Sequence, residues 1–273
     1  MEFVDKAFAR RLEACEEMPQ VLYARVFQEM RPQIGADEQE ICGGHMSFAG
    51  LGSPIGRATG LGLDRQFTEE DLERVERFYT SHGAPAQLDL CPLHEPEVFE
   101  MCRKRGYSVA ELNNVLYRRL DATENHPAPP LGCTIRRGQV DEARALGAIV
   151  ERAFFPEGAP EAFRDLLTPL YRMEGALTFA AELNHQTVAC GAGLMIPEHG
   201  VFAICGAGTA KEFRRRGLQT ALLHARLAAA AKAGCEYAVV VTQGGTISQR
   251  NCERLGFRVA YSKVTVIKEL QKE

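Results

Sequence analysis

Between residues 217 and 233 apolar side chains recur every three or four positions. Leu218, Leu222, Ala225 and Ala229 mark one face of a predicted helix from about Gly217 to Ala233, with Leu223 and Leu227 beside it. On either side the pattern changes. ALTFAAEL, QTVACGAGLMI and GVFAICGAGTA read as three strands joined by polar or Gly-containing turns, and CEYAVVVTQ is a short β-branched run typical of a buried strand. Upstream, GCTIRRG predicts a strand and DEARALGAIVERAF (141–154) a helix with Asp141 at or near its cap. PEAFRDLLTPLYRM (160–173) continues as a helix that Pro169 ends or kinks. SQRNCERLG, a short helix, and FRVAYSKVTVIKEL, a strand, follow CEYAVVVTQ.

The N-terminal half opens with a long helix over about 5–31. EICGGHMSFAG and SPIGRATGLGL each read as a strand, and TEEDLERVERFYTSHG as a helix whose Thr68 and Asp71 fit an N-cap and a first-turn acid. APAQLDLCPL (strand), EPEVFEMCRKRGY (helix) and SVAELNNVLYRRL (strand) complete it. The order strand, strand, helix, strand, helix, strand repeats that of the C-terminal half. RKRGYSVAELNNVLY (103–117) can be laid beside ERLGFRVAYSKVTVI (253–267), which suggests an internal duplication. Three of the four residues 127–130 are proline, so ENHPAPPLG (124–132) fits neither a helix nor a central strand and reads as a linker between 1–123 and 133–273. Strands and helices mixed in this way predict an α/β (α+β) fold in two domains.

A net charge of −4 gives no general attraction to nucleic acid or anionic membrane. No apolar run approaches the ~18–20 residues that span a bilayer. MEFVDKAFARRLEACEE carries both signs of charge and reads as an amphipathic helix rather than a secretory leader. Nine cysteines, an odd number without C-x-x-C spacing, favour neither a zinc ribbon nor a disulfide framework, so a reducing cytoplasm is the expected setting. His45, His94 and the cysteines lack metal-ligand spacing, and no metal is expected.

Against this background EFRRRGLQTALL (212–223) is unusual. It sets Arg214, Arg215 and Arg216 against the start of a helix, where the dipole already leaves about +0.5 of a charge. An anion resolves the conflict. The first amides of the helix point outward and, with the dipole, form a phosphate site; Gly217 lets a ligand approach the backbone. Leu218, Gln219, Thr220 and Ala221 would present amides to a di- or polyphosphate, and the arginines add charge-assisted bonds. Without the glycine and the helix, such a charge run would read as a solvated basic turn. His224, inside the same helix, reads as a surface residue. The N-terminal half has no matching turn: Asp64, Arg65 and Gln66 precede a helix that begins with two glutamates, which would repel phosphate.

FRRRGLQTALL resembles the acetyl-coenzyme A motif of the GCN5-related N-acetyltransferases (GNAT), [QR]-x-x-G-x-[GA], with Arg214, Gly217 and Gln219 at its defined places. Gln219 departs from the usual glycine or alanine. The order of elements over 133–273 and the Gly256–Phe257 junction extend the resemblance. It implies two GNAT-like domains, each a mixed, mostly antiparallel sheet flanked by helices: a degenerate one at 1–123 lacking the coenzyme A motif, and an acetyl-CoA-binding one at 133–273. It also implies that Ala207, Gly208, Thr209 and Ala210 lie along the pantetheine, that residues 214–220 hold the pyrophosphate, and that Asn251 makes a polar contact. The tyrosine that protonates the leaving thiolate in many relatives is replaced here by Cys252; Tyr261 is the other candidate acid. The activity implied is N-acetyl transfer to a primary amine of a small molecule or peptide. Segment 154–173 would form the acceptor-side wall, and a homodimer is compatible with the family. The competing expectation is a non-catalytic acyl-CoA sensor or scaffold. A more distant one is transfer of a longer acyl chain.

Overall fold

In the computed structural model, which describes residues 2–53, 55–159 and 167–270, Asp5 caps helix α1 (Lys6–Met30) by accepting the Phe8 amide at 2.8 Å. Strands β1 (Asp37–Ile41) and β2 (Gly44–Phe48) follow as a hairpin. Its two turn residues, Cys42 and Gly43, have φ of 49° and 77°, the primed turn that matches strand twist. The single strand expected of EICGGHMSFAG is therefore the end of one arm, the turn and the other arm of a hairpin. Cysteine at positive φ is a signal composition does not give. The strand expected of SPIGRATGLGL shrinks to β3 (Ala58–Thr59), because Gly56, Gly60 and Gly62 all take positive φ. Helix α2 (Glu69–Ser81), strand β4 (Ala86–Leu90), helix α3 (Pro96–Lys104) and strand β5 (Ser108–Arg119) then appear in the expected order.

Strand β6 (Cys133–Arg137) leads into helix α4 (Ala143–Phe154). The N-cap is Glu142, next to Asp141 as expected; its carboxylate accepts the Gln139 amide at 2.9 Å and is gripped by Arg136. Residues 160–166 of the expected 160–173 helix lie outside the described residues; Pro169–Tyr171 is one 3-10 turn. Strands β7 (Phe179–Leu183), β8 (Gln186–Ile196) and β9 (Val201–Thr209), helix α5 (Leu218–Lys232), strand β10 (Tyr237–Gln243), helix α6 (Ile247–Arg254) and strand β11 (Arg258–Lys268) complete the chain.

The residues gather into two compact units, Met1–Tyr117 with Val241–Glu273, and Arg118–Val240. In the first, strands run in the order β1-β2-β3-β4-β11-β5. β11 lies antiparallel between β4 and β5, with Val264 opposite both Leu90 and Leu112. This is why residues 241–273, expected to close a sequential C-terminal half, join the N-terminal residues. Leu72, Val75 and Phe78 of α2 and Val98 of α3 bury against Leu88, Leu90 and Val266.

In the second unit the order is β10-β9-β8-β7-β6, antiparallel except for β10 beside β9. α4 and α5 both pack on β8 and β9. The α5 face is shifted from the predicted one. Leu218, Leu222, Leu223, Leu227 and Ala230 are buried, Ala225 and Ala229 only half-buried, and Arg226 is buried among them. Arg226 donates to the carbonyls of Leu222 (3.1 Å) and Ala192 (2.9 Å). The hydrogen bonds make a cation tolerable in a core face that periodicity reads as apolar. The expected linker belongs to this unit: Pro130 accepts the Cys133 amide at 2.9 Å, and His126 meets His224 at 3.0 Å between their Nδ1 atoms. Among the described residues no helix is long and apolar enough to cross a membrane.

Candidate cofactor and catalytic site

In the second unit, the end of β9 runs through a tight turn into α5. Arg215 has φ of 61° and Gly217 of 77°, so the chain reverses through two left-handed residues. Gly217 is the N-cap of α5; no side chain caps the helix and no acid stands in its first turn. The positive end of the helix is thus open to an anion, and the exposed arginines add to that charge. They divide the work. Arg214 donates to Thr209 O at 3.2 Å and to Ala153 O at 2.9 Å, bracing the turn against β9 and α4. The Arg216 guanidinium lies 5.4 Å from the centre of the Phe213 ring. Gly217 is exposed, and a Cβ there would approach only Pro130, at 3.3 Å.

β9 is irregular where a cofactor arm is expected. Cys190 of β8 faces Gly208 and Ala192 faces Cys205, so Gly191 alone opposes both Gly206 and Ala207. This is a bulge, with Gly206 at φ of 51°. On its other side β9 pairs with β10 only over Val201–Ala203, after which the two strands no longer match. Residues 204–210 are half-buried. Gly208 has a steric reason: a Cβ would stand 2.7 Å from Val150 Cα, so α4 closes that face. Ala210 donates its amide to Val188 O at 3.0 Å. Sequence reasoning missed Tyr171, whose buried hydroxyl donates to Gly206 O at 2.6 Å and lies 3.2 Å from Cys190 Sγ. Burial pushes its pKa well above the ordinary tyrosine value, so the proton stays in place.

Asn251, Cys252 and Tyr261 lie in the first unit. Thr246 caps α6 by accepting the Gln249 amide at 3.3 Å, which sets Asn251 half-buried and Cys252 buried. The Cys252 carbonyl accepts the amides of Leu255 and Phe257. Tyr261 is in the core, its hydroxyl 2.6 Å from Glu13 Oε1. Burial, then the Glu13 charge, raises its pKa well above the usual value. Lys263 completes the cluster, 2.7 Å from Glu16 and 3.5 Å from both Glu13 and Asp89. Burial works against the lysine charge, but the three carboxylates outweigh it and hold its pKa high. Two buried glutamate positions on an apparently amphipathic helix, Glu13 and Glu17, gave no signal in the sequence.

The corresponding place in the first unit, between β3 and α2, is closed. Thr68 and Asp71 form a reciprocal capping box, and Arg65 grips the Asp71 carboxylate. No group of three or more metal-ligating side chains is poised to hold an ion among the described residues.

Residues 144–257 match the model of the acetyltransferase (GNAT) family. Over this segment the chain is similar to the GNAT acetyltransferases. A GCN5-related N-acetyltransferase from Kribbella flavida has a similar fold, with a TM-score of 0.64 over 91% of this chain and 96% of that one at 17% identity. A tandem GNAT protein from the clavulanic acid biosynthesis pathway aligns with a TM-score of 0.63 over 84% of this chain and 79% of its own, at 12% identity. A GCN5-related N-acetyltransferase from Sphaerobacter thermophilus gives 0.53 over 68% and 60%, at 21% identity. These likenesses concern the fold, and the first two extend into both units. No curated protein matches the chain by sequence.

Proposed function

We propose that the protein is an N-acetyltransferase that moves an acetyl group from acetyl-CoA to a primary amine of a small molecule or peptide. The observation that carries this reading is the uncapped, acid-free start of α5 behind a left-handed Arg–Gly turn, placed where β9 bulges and leaves β10. The residues fit the group. Backbone amides of residues 214–220 would take the pyrophosphate, with Arg215 and Arg216 supplying charge, and Ala207, Gly208, Thr209 and Ala210 would lie along the pantetheine. The thioester supplies the activated acyl group. The amine lone pair forms the C–N bond, the C–S bond breaks with its electron pair on sulfur, and the amine gives up one proton while sulfur gains one. Much of the rate would come from positioning and from a backbone N–H facing the carbonyl oxygen. A cytoplasmic setting and two GNAT-like domains, the first without coenzyme A, belong to the same reading.

A second reading, acyl-CoA binding without transfer, draws support from the acids. The Tyr261 proton is committed to Glu13 and Cys252 is buried. Calorimetric titration with acetyl-CoA beside Gly217→Val, followed by an amine screen, tests both. Binding that the substitution removes, with turnover on any amine, supports the enzyme. Binding without turnover favours the sensor, and no binding ends both readings.

A further inference from the structure

The bulge in β9 is held from inside the unit. Among the described residues Gly206 and Ala207 have no Cα partner on β8 and stand outside its regular register. Tyr171 anchors the peptide between them. Its hydroxyl reaches Gly206 O at 2.6 Å, and the ring is 2% exposed beside Cys190. The preceding residue, Leu170, fills the space over Gly206: a Cβ there would stand 3.0 Å from Leu170 Cδ1.

The carbonyl of Gly206 and the N–H of Ala207 belong to one planar trans peptide and point in opposite directions. Holding the carbonyl inward therefore turns the Ala207 N–H away from the interior, on a stretch of β9 whose pairing with β10 has already ended at Ala203. We propose that Tyr171 is a positioning residue: by anchoring the Gly206 carbonyl it aims the Ala207 N–H at the thioester carbonyl oxygen of acetyl-CoA. This rests on the acetyl-transfer reading. It assigns the carbonyl donor to one amide and its orientation to one hydroxyl that never touches the substrate. The arrangement also explains glycine at 206. The left-handed φ and the Leu170 contact both resist a side chain, and tilting that residue would rotate the shared peptide.

The test is the infrared carbonyl band of acetyl-CoA labelled with carbon-13 at the thioester carbon, bound to the full chain, with calorimetric affinities for coenzyme A and acetyl-CoA measured alongside. In the parent protein the band should fall relative to free acetyl-CoA, the signature of a hydrogen bond to the carbonyl. Tyr171→Phe keeps the ring and should lose at least half of that shift. Its affinity for coenzyme A should change less than about twofold. On an accepting amine, kcat should fall about tenfold with KM for acetyl-CoA nearly unchanged. Gly206→Ala, which disturbs the same peptide from the other side, should reproduce the spectral loss, and stands in if Tyr171→Phe fails to fold. A full band shift in both variants, or no shift in a parent protein that binds acetyl-CoA, would overturn the assignment. Absence of acetyl-CoA binding in the calorimeter would instead strike the cofactor reading, and the proposal with it.

Discussion

Arg65 grips the Asp71 carboxylate with both terminal guanidinium nitrogens, at 2.7 and 2.8 Å, while the Thr68 amide donates to the same carboxylate at 3.0 Å. The start of α2 thus carries its own anion, whereas the start of α5 has none. The hydrogen bonds from Arg65 hold the Asp71 carboxyl at about 2, below the ordinary 3.8. A lowered acid stabilises the fold fully above its unfolded pKa and loses that contribution as pH falls toward the folded one. Urea unfolding should therefore weaken between pH 4 and 2. Asp71→Asn should remove that part of the slope and cost about 1–2 kcal/mol at pH 7 through the lost cap and charge-assisted bonds. Identical slopes in the two proteins would refute the assignment.

Gly217→Val should abolish coenzyme A binding and leave the far-ultraviolet circular dichroism unchanged. Gly217 sits at φ of 77°, strained for a β-branched residue, and its exposed face is where the phosphate would approach. Stability should fall by about 1–2 kcal/mol at most. Unchanged affinity would sink the phosphate site.

The two acid candidates should separate. Tyr261→Phe leaves buried Glu13 without that donor, so the loss should appear as about 1–3 kcal/mol of stability rather than as turnover. Cys252→Ala should lower kcat about 100-fold at unchanged KM for acetyl-CoA if its thiol protonates the leaving sulfur. Turnover equal to the parent's would hand that role to water.

His94 offers a second pH handle. Burial, then the nearby Lys6 charge, drops its pKa to about 4, with Glu95 opposing. The folded chain therefore binds fewer protons than the unfolded chain between pH 6.5 and 4, and stability falls as pH falls through that window. A shift of this size corresponds to about 3 kcal/mol. His94→Gln should flatten that part of the stability curve; an unchanged slope would place the titration elsewhere.

What the sequence revealed, and what it hid, follows from how each feature is encoded. The α5 turn was legible because arginines before a glycine and a helix are a local pattern with an electrostatic reason. The capping box at Thr68 and Asp71 was legible for the same reason. The hairpin at Cys42–Gly43 was not, since alternation runs on across a turn that lacks the usual Asn-Gly or Asp-Gly pair. Burial of Arg226, Glu13 and Lys263 was not legible, because their partners are carbonyls or charges brought near only by the fold. Tyr171 was invisible in a stretch that reads as helix, and its role exists only opposite a bulge 35 residues along the chain. The membership of β11 depends on pairings between residues as distant as Leu90 and Val264, which no local pattern records.

The interleaving of β11 between β4 and β5 also orders events on the ribosome. Arg118–Val240 is one continuous stretch, complete as soon as it emerges. The other unit begins earlier yet must wait: until residues 258–268 are made, β4 and β5 lack the strand that lies between them, and their backbone groups on that side stand open to any passing strand. Translation is slow compared with strand pairing. The nascent chain therefore spends seconds with β4 and β5 unpaired on that side, a window in which a chaperone would find open strand edges.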